Sequence, residues 1–255
     1  MRRDDTRRRG RFSVRVPVRL DRPRLSDEEI ERARRERREP RPTQWDHLHL
    51  AGLNRGMRSA VRRLPDAEGP VLDLYCGTKP YLELIPWRPL WGLDIDRHFG
   101  RADVLARVPI PFRDGSFGVV FCSQALHLVD DPVATVREME RVLRPGGHAI
   151  VTLPHVFVAE ASIERHWSLN DLGVLFGRWR DVHVAGIDGP GAALALVVGH
   201  AAWLASRRWD RLRPAYLPVV VVMNVVCSTL DALLAPLQRR WPHSLVLVAR
   251  RAVAT

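Results

Sequence analysis

The sequence predicts an α/β fold: a mostly parallel sheet with helices on both faces. Three observations carry this. Short apolar runs recur from residue 70 onward, each ended by turn residues; a clear helix separates the later ones; and 255 residues, 46% of them hydrophobic, suffice for one catalytic unit with extensions. The runs are VLDLY (71–75), LWGLDI (90–95) and FGVVFCSQ (117–124), the last preceded by an Asp-Gly-Ser turn at 114–116. The helix is Pro132 to Leu143, with Asp131 placed as its cap, proline in its first turn and Pro145-Gly146-Gly147 as its stop. HAIVTLPH (148–155) follows as a strand, and a strand, turn and helix rhythm of this kind implies a parallel sheet covered on both sides. DVHVAGI (181–187) and SLVLVARR (244–251) read as two closing strands.

Four segments result: an arginine-rich, largely disordered arm (1–43), a core (44–188), an apolar insertion (189–243) and a closing strand with its tail (244–255). The formal charge of +11 sits mostly in the arm, where 16 arginines face nine acidic residues. The folded part is only mildly basic, which argues against a nucleic-acid partner for it. Within the arm, Ser26 and Glu29 form a capping box for a helix to about Arg38. That helix has almost no apolar face, so the expectation is a helix in solvent or one that folds on a partner. Trp45 to Arg63 carries apolar residues at helical spacing and suits a helix packed on the sheet. Three cysteines without paired spacing argue against a disulfide framework or a zinc site. No apolar stretch follows the basic first residues, so no secretory signal is expected and the cytosol is the expected location. Lys79 is the sole lysine among 40 cationic residues.

An open parallel sheet binds ligands at the carboxyl ends of its strands. There the first strand exits through Asp73-Leu74-Tyr75-Cys76-Gly77-Thr78-Lys79-Pro80-Tyr81, and the second ends in Gly92-Leu93-Asp94-Ile95-Asp96. A carboxylate at the second strand's tip can accept both hydrogen bonds of a ribose diol, which makes Asp94 the candidate. A pyrophosphate site usually needs G-x-G-x-x-G, and this loop offers only Gly77.

In these segments the chain resembles the class I S-adenosylmethionine-dependent methyltransferases, type 11-like, in a branch whose first motif reads CGxKPY. The resemblance spans about residues 68–187 and rests on VLDLYCGTKPY, WGLDID, IPFRDGSFGVV, LRPGG and the strand ending LPH, in that order. It implies a Rossmann-like, seven-stranded sheet with an antiparallel final strand, and S-adenosyl-L-methionine as cofactor. By the same resemblance, Asp73, Tyr75, Cys76, Gly77 and Lys79 face the methionine end, and Asp94 with Ile95 the ribose. Asp103 is then the nearest candidate for an adenine contact, and Ser123 lines the site from the fourth strand. Acidic groups and exposed backbone suit a ligand that is zwitterionic at one end and a sulfonium in the middle. The chain departs from the family pattern at four points. Tyr75 replaces the first glycine, Gly118 replaces an aspartate, the acidic residue before the PF pair is missing, and Leu126-His127-Leu128 stands where L-E-H is usual.

Methyl transfer from a sulfonium needs alignment and exclusion of water more than any obligatory catalytic group. A hydroxyl acceptor would call for a general base, and His155 and His127 are the candidates, with His166-Trp167 and Glu160 nearby. Cys76 and Cys122 read as small buried residues. The insertion must form helices of its own. Gly189–Ser206 and Tyr216–Leu230 carry no charge, yet both are short for a bilayer span and are interrupted by His200, Pro218 and Asn224. With Arg207, Arg208, Arg211, Arg213, Trp203 and Trp209 flanking the gap, two readings stand level: a lid or dimer interface, and a peripheral membrane surface through 189–236. Both favour a small or lipid-like acceptor. The rival readings are a non-catalytic cofactor-binding protein with a degenerate site, and an RNA methyltransferase using the arm.

Overall fold

The structure, a computed structural model, describes residues 23–64, 66–156, 165–235 and 241–253. Seven strands form one sheet: β1 (Val71–Leu74), β2 (Leu90–Asp94), β3 (Val104–Leu105), β4 (Phe117–Ser123), β5 (Leu143–Pro154), β6 (Arg180–Ile187) and β7 (Ser244–Arg250). Their order across the sheet is β3-β2-β1-β4-β5-β7-β6. The first five run parallel, while β7 lies antiparallel between β5 and β6. The chain therefore reverses its direction of travel at β1, and the exits of β1 and β4 border the crevice where such sheets bind ligands.

Each face has its own core. On one, α2 (His47–Arg62) lays Leu53, Met57 and Ala60 against Val71, Val119, Phe121 and Ile150. On the other, α3 (Pro132–Val142) and α4 (Leu169–Leu175) bring Val136, Met139, Leu172 and Phe176 against Leu72, Val120, Cys122 and Val151. The α3 cap is as the sequence dictates: the Asp131 side chain accepts from Ala134 N–H and proline occupies the first turn.

The structure departs from the expected rhythm in the first three crossovers. Among the described residues, 75–89, 95–103 and 106–116 contain turns and no helix. Prolines at 80, 86, 89, 109 and 111 remove helix donors along two of these segments. Tyr81 and Ile85 supply from turns the apolar cover that a helix would have given.

A second correction concerns the arm. Residues 1–22 lie outside the described residues, but α1 (Asp27–Arg38) does not stand in solvent. Its capping box forms as expected, and Ile30 is fully buried. Leu25 N–H donates to the His98 carbonyl at 2.9 Å and Arg24 to the Gly100 carbonyl at 3.0 Å. Asn54 of α2 donates to the Arg37 and Arg38 carbonyls. Hydrogen bonds to the His98 and Gly100 carbonyls thus dock the start of α1 over the β2–β3 crossover, where a covering helix is missing.

The insertion forms an antiparallel hairpin of α5 (Pro190–Arg208) and α6 (Arg213–Leu233), joined by one 3-10 turn. The Asp231 carboxylate accepts from Gly189, Gly191 and Ala192 N–H at 2.7–3.2 Å, capping α5 from its neighbour. A side chain at Gly191 would fall 2.3 Å from the Cys227 carbonyl, so the two helices cross where only glycine fits.

Candidate active site

The exit of β1 is a tight turn held from β2. Cys76 N–H donates to the Leu93 carbonyl at 3.1 Å, and Gly77 N–H to Asp94 Oδ2 at 2.7 Å. The other oxygen, Asp94 Oδ1, accepts from Ile95 N–H at 2.7 Å and Asp96 N–H at 3.3 Å. A carboxylate offers about four lone-pair directions, so roughly one remains free. One direction suffices for a single hydroxyl, where the sequence reading asks Asp94 for the two of a diol.

Tyr75 takes φ +59° although it is not glycine. This left-handed conformation costs a residue with a β-carbon roughly 1 kcal/mol, and the ring offsets it by packing into the core. Lys79, also at positive φ, lies flat across Gly92 and pairs with Asp103 at 2.6 Å. A side chain at Gly92 would meet the Lys79 stem at 2.2 Å, so that glycine is the groove in which the lysine rests. Gly92 N–H also donates to Asp103 at 2.6 Å. Asp103 is thereby tied at the start of β3, beside Gly92.

The turn is open at Gly77. Nothing lies within 4 Å of the point where a side chain on Gly77 would project, and its φ of +53° turns that backbone outward. Neither Tyr75 nor Lys79 fills that opening. A cavity of about 330 Å³ lined by Arg63, Arg144, His148 and Arg250 opens elsewhere, at the amino ends of the parallel strands.

The electrostatics favour a cation. Asp73 is buried, and desolvation pushes its carboxyl up to about 7; Asp94 and Asp103 push the same way, and Lys79 only partly opposes them. Burial also raises Asp94, against the three N–H groups that favour its charged form. For Asp103 burial is outweighed by Lys79 and the Gly92 N–H, which hold it below the usual carboxylate range. Desolvation raises the Cys76 thiol and takes Cys122 to about 12, so both are inert apolar groups, as expected from sequence. Buried carboxylates short of positive charge, beside an open glycine turn, fit a sulfonium ligand that carries an ammonium group.

Residues 72–151 match the methyltransferase domain family. The strand order and the antiparallel β7 agree with it. The match and the topology together support a class I S-adenosylmethionine-dependent methyltransferase. Solved structures with this fold include the [4+2]-cyclase SpnF (19% identity, 81% of this chain and 82% of that one, TM-score 0.51). Another is the complex between the Haloferax volcanii Trm112 methyltransferase activator and a methyltransferase (19%, 89% and 98%, TM-score 0.50). A search of curated proteins finds none that matches. S-adenosyl-L-methionine is the cofactor of such a domain.

Beyond that turn, histidines gather at the carboxyl ends of β4 and β5. His155 follows β5 with its Nδ1 2.8 Å from the Trp167 carbonyl. His127 is buried after β4, and burial, with His166 beside it, lowers its pKa to about 4. Ser123, at the tip of β4, shares a 2.9 Å hydrogen bond with Thr152 of β5. Two further histidines complete the group: His49 of α2 and His243 before β7, with ring nitrogens 3.0 Å apart. Burial, and next the facing His243, hold His49 well below its ordinary value; burial takes His243 to about 4. His243 is tied in further, since its carbonyl accepts from His155 and Val156 N–H. Nothing in sequence pairs residues 194 positions apart, and His49 reads there only as part of an amphipathic helix. Glu160 lies outside the described residues.

Proposed function

We propose that this methyltransferase methylates a hydroxyl of a small or lipid-like acceptor, with His155 as general base. The observation that carries the proposal is the His155–Trp167 contact. A carbonyl can only accept, so the proton of neutral His155 resides on Nδ1 and Nε2 keeps its lone pair. A base oriented this way, partly exposed at the end of β5, can take a hydroxyl proton as the oxygen attacks. His127, His49 and His243 are neutral at pH 7 through burial, and in this reading they shape the wall of the acceptor site without adding repulsive charge.

Asp73 and the Tyr75–Lys79 turn hold the cofactor's amino-acid end, Asp94 and Ile95 its ribose, and Ser123 the floor between β4 and β5. Bound there, S-adenosylmethionine supplies an electrophilic methyl group. The chain's part is to align the acceptor, exclude water and accept one proton at His155 Nε2. The largely apolar hairpin, packed on the same α2 that bears His49, favours an acceptor with an apolar portion.

Calorimetric titration with the cofactor, then release of S-adenosylhomocysteine across a phenol, a sugar and a prenol, tests the reading. The expected result is saturable binding with turnover on one of them, reduced at least 100-fold in His155→Ala, as expected for loss of a general base. Tight binding without turnover on any hydroxyl would transfer the case to the cofactor-binding rival.

A further inference from the structure

We propose that the outer face of the α5–α6 hairpin is a docking surface for an anionic phospholipid bilayer, lying in the plane of its headgroups. Of the polar residues within the two helices, His200, Asn224 and Asp231 turn inward. Asn224 donates to the Pro42 and Gln44 carbonyls at 2.7 and 3.0 Å, Asp231 caps α5, and His200 packs against Trp45 and Trp203. Outside, an apolar strip follows both helices: Leu194, Val197 and Leu204 on α5, and Leu217, Val222 and Val226 on α6 are 45–58% exposed. Two helices of this length present a strip about 30 Å long.

The charge pattern selects the occupant. Arg207, Arg208, Arg211 and Arg213 crowd the end where the helices join, and Asp210, paired with Arg213 at 3.0 Å, is the single acidic residue among them. Arg207 lies 5.2 Å over the Trp203 ring, and Trp209 is half exposed beside them. Arginines and tryptophans bordering an apolar strip match the depth profile of an anionic leaflet, with phosphates level with the guanidinium groups and acyl chains beneath. Asp210–Leu233 is long and apolar enough to cross a membrane by length and composition. Crossing would strip Asn224 and Asp231 from partners that they hold in the core, so the hairpin rests on the surface.

Vesicle flotation of the full chain tests this, with vesicles of phosphatidylcholine alone and of phosphatidylcholine mixed with phosphatidylglycerol. The chain is expected to float with the mixed vesicles and to release as salt rises. Val222→Glu/Val226→Glu should weaken binding at least about tenfold without changing the thermal melt, since both side chains are exposed. Arg208→Gln/Arg211→Gln should weaken it roughly fivefold per arginine on mixed vesicles only. Absence of flotation by the wild type, or equal flotation by the glutamate variant, overturns the proposal. So does a dimer in sedimentation that the glutamate pair dissolves with no effect on vesicles, which would make the face an interface between copies.

Discussion

Replacing Asp73 by Asn should stabilise the fold and weaken the cofactor together. The buried carboxyl rises from 3.8 to about 7 on folding, so the native state binds its proton more tightly than the unfolded chain does. Stability from this group is fully present below pH 3.8 and is lost as pH rises through 7. Three units at about 1.36 kcal/mol each give a cost of about 4 kcal/mol at pH 8. Asn has nearly the same shape and no charge to bury. The variant should therefore melt above wild type at pH 8, by up to roughly 10 °C, with the gap closing towards pH 4.

Cofactor affinity runs the other way. A sulfonium and an ammonium favour the ionised carboxylate, so wild-type affinity should rise about tenfold between pH 6 and pH 8, as a midpoint near 7 requires. Asp73→Asn should bind at least tenfold more weakly and show a flat profile across that range. Circular dichroism melts and calorimetric titrations at matched pH read both arms. A variant no more stable than wild type at pH 8, or a wild-type affinity that ignores pH, would refute the assignment of a desolvated, cation-seeking Asp73.

Three further outcomes follow from the same geometry. Asp94→Ala should weaken the cofactor by about 1–3 kcal/mol in calorimetry, because it removes both a ribose acceptor and the clasp on Gly77 N–H. Lys79→Met should move the midpoint of the affinity profile above 7, since the ammonium is the cation opposing the rise of Asp73. Asp231→Ala leaves three N–H groups at the start of α5 without their acceptor and should cost about 2–4 kcal/mol in denaturant melts.

Much of this was legible in the sequence because it is written locally. The β1, β2, β4 and β5 runs, the Asp131 cap and the Asp73 and Asp94 positions depend on a few adjacent residues each. Less legible was whatever depends on backbone meeting backbone at a distance. The docking of α1 rests on the carbonyls of His98 and Gly100, which no side-chain pattern displays, and Ile30 alone makes no apolar stripe. Strand β3 is two residues long and is defined by Leu93 and Asp94 across from it. The prolines of the helix-free crossovers were visible and carried the right message, that the segments between the first strands could not continue as helices.

The departures from the family pattern, read in sequence as damage to the site, acquire physical reasons in the fold. Tyr75 keeps the left-handed turn that glycine would give, and its ring is held against the core. Gly118 stands where an aspartate is usual because a β-carbon there would fall 1.7 Å from the Glu68 carbonyl, and Gly118 N–H pairs with Pro70 instead. The displaced histidine of Leu126-His127-Leu128 is buried and neutral, so the wall it forms carries no charge against a cationic ligand. Three of the four departures are thus matched to their surroundings: Tyr75 and His127 are packed into the core, and Gly118 stands where a larger residue would clash.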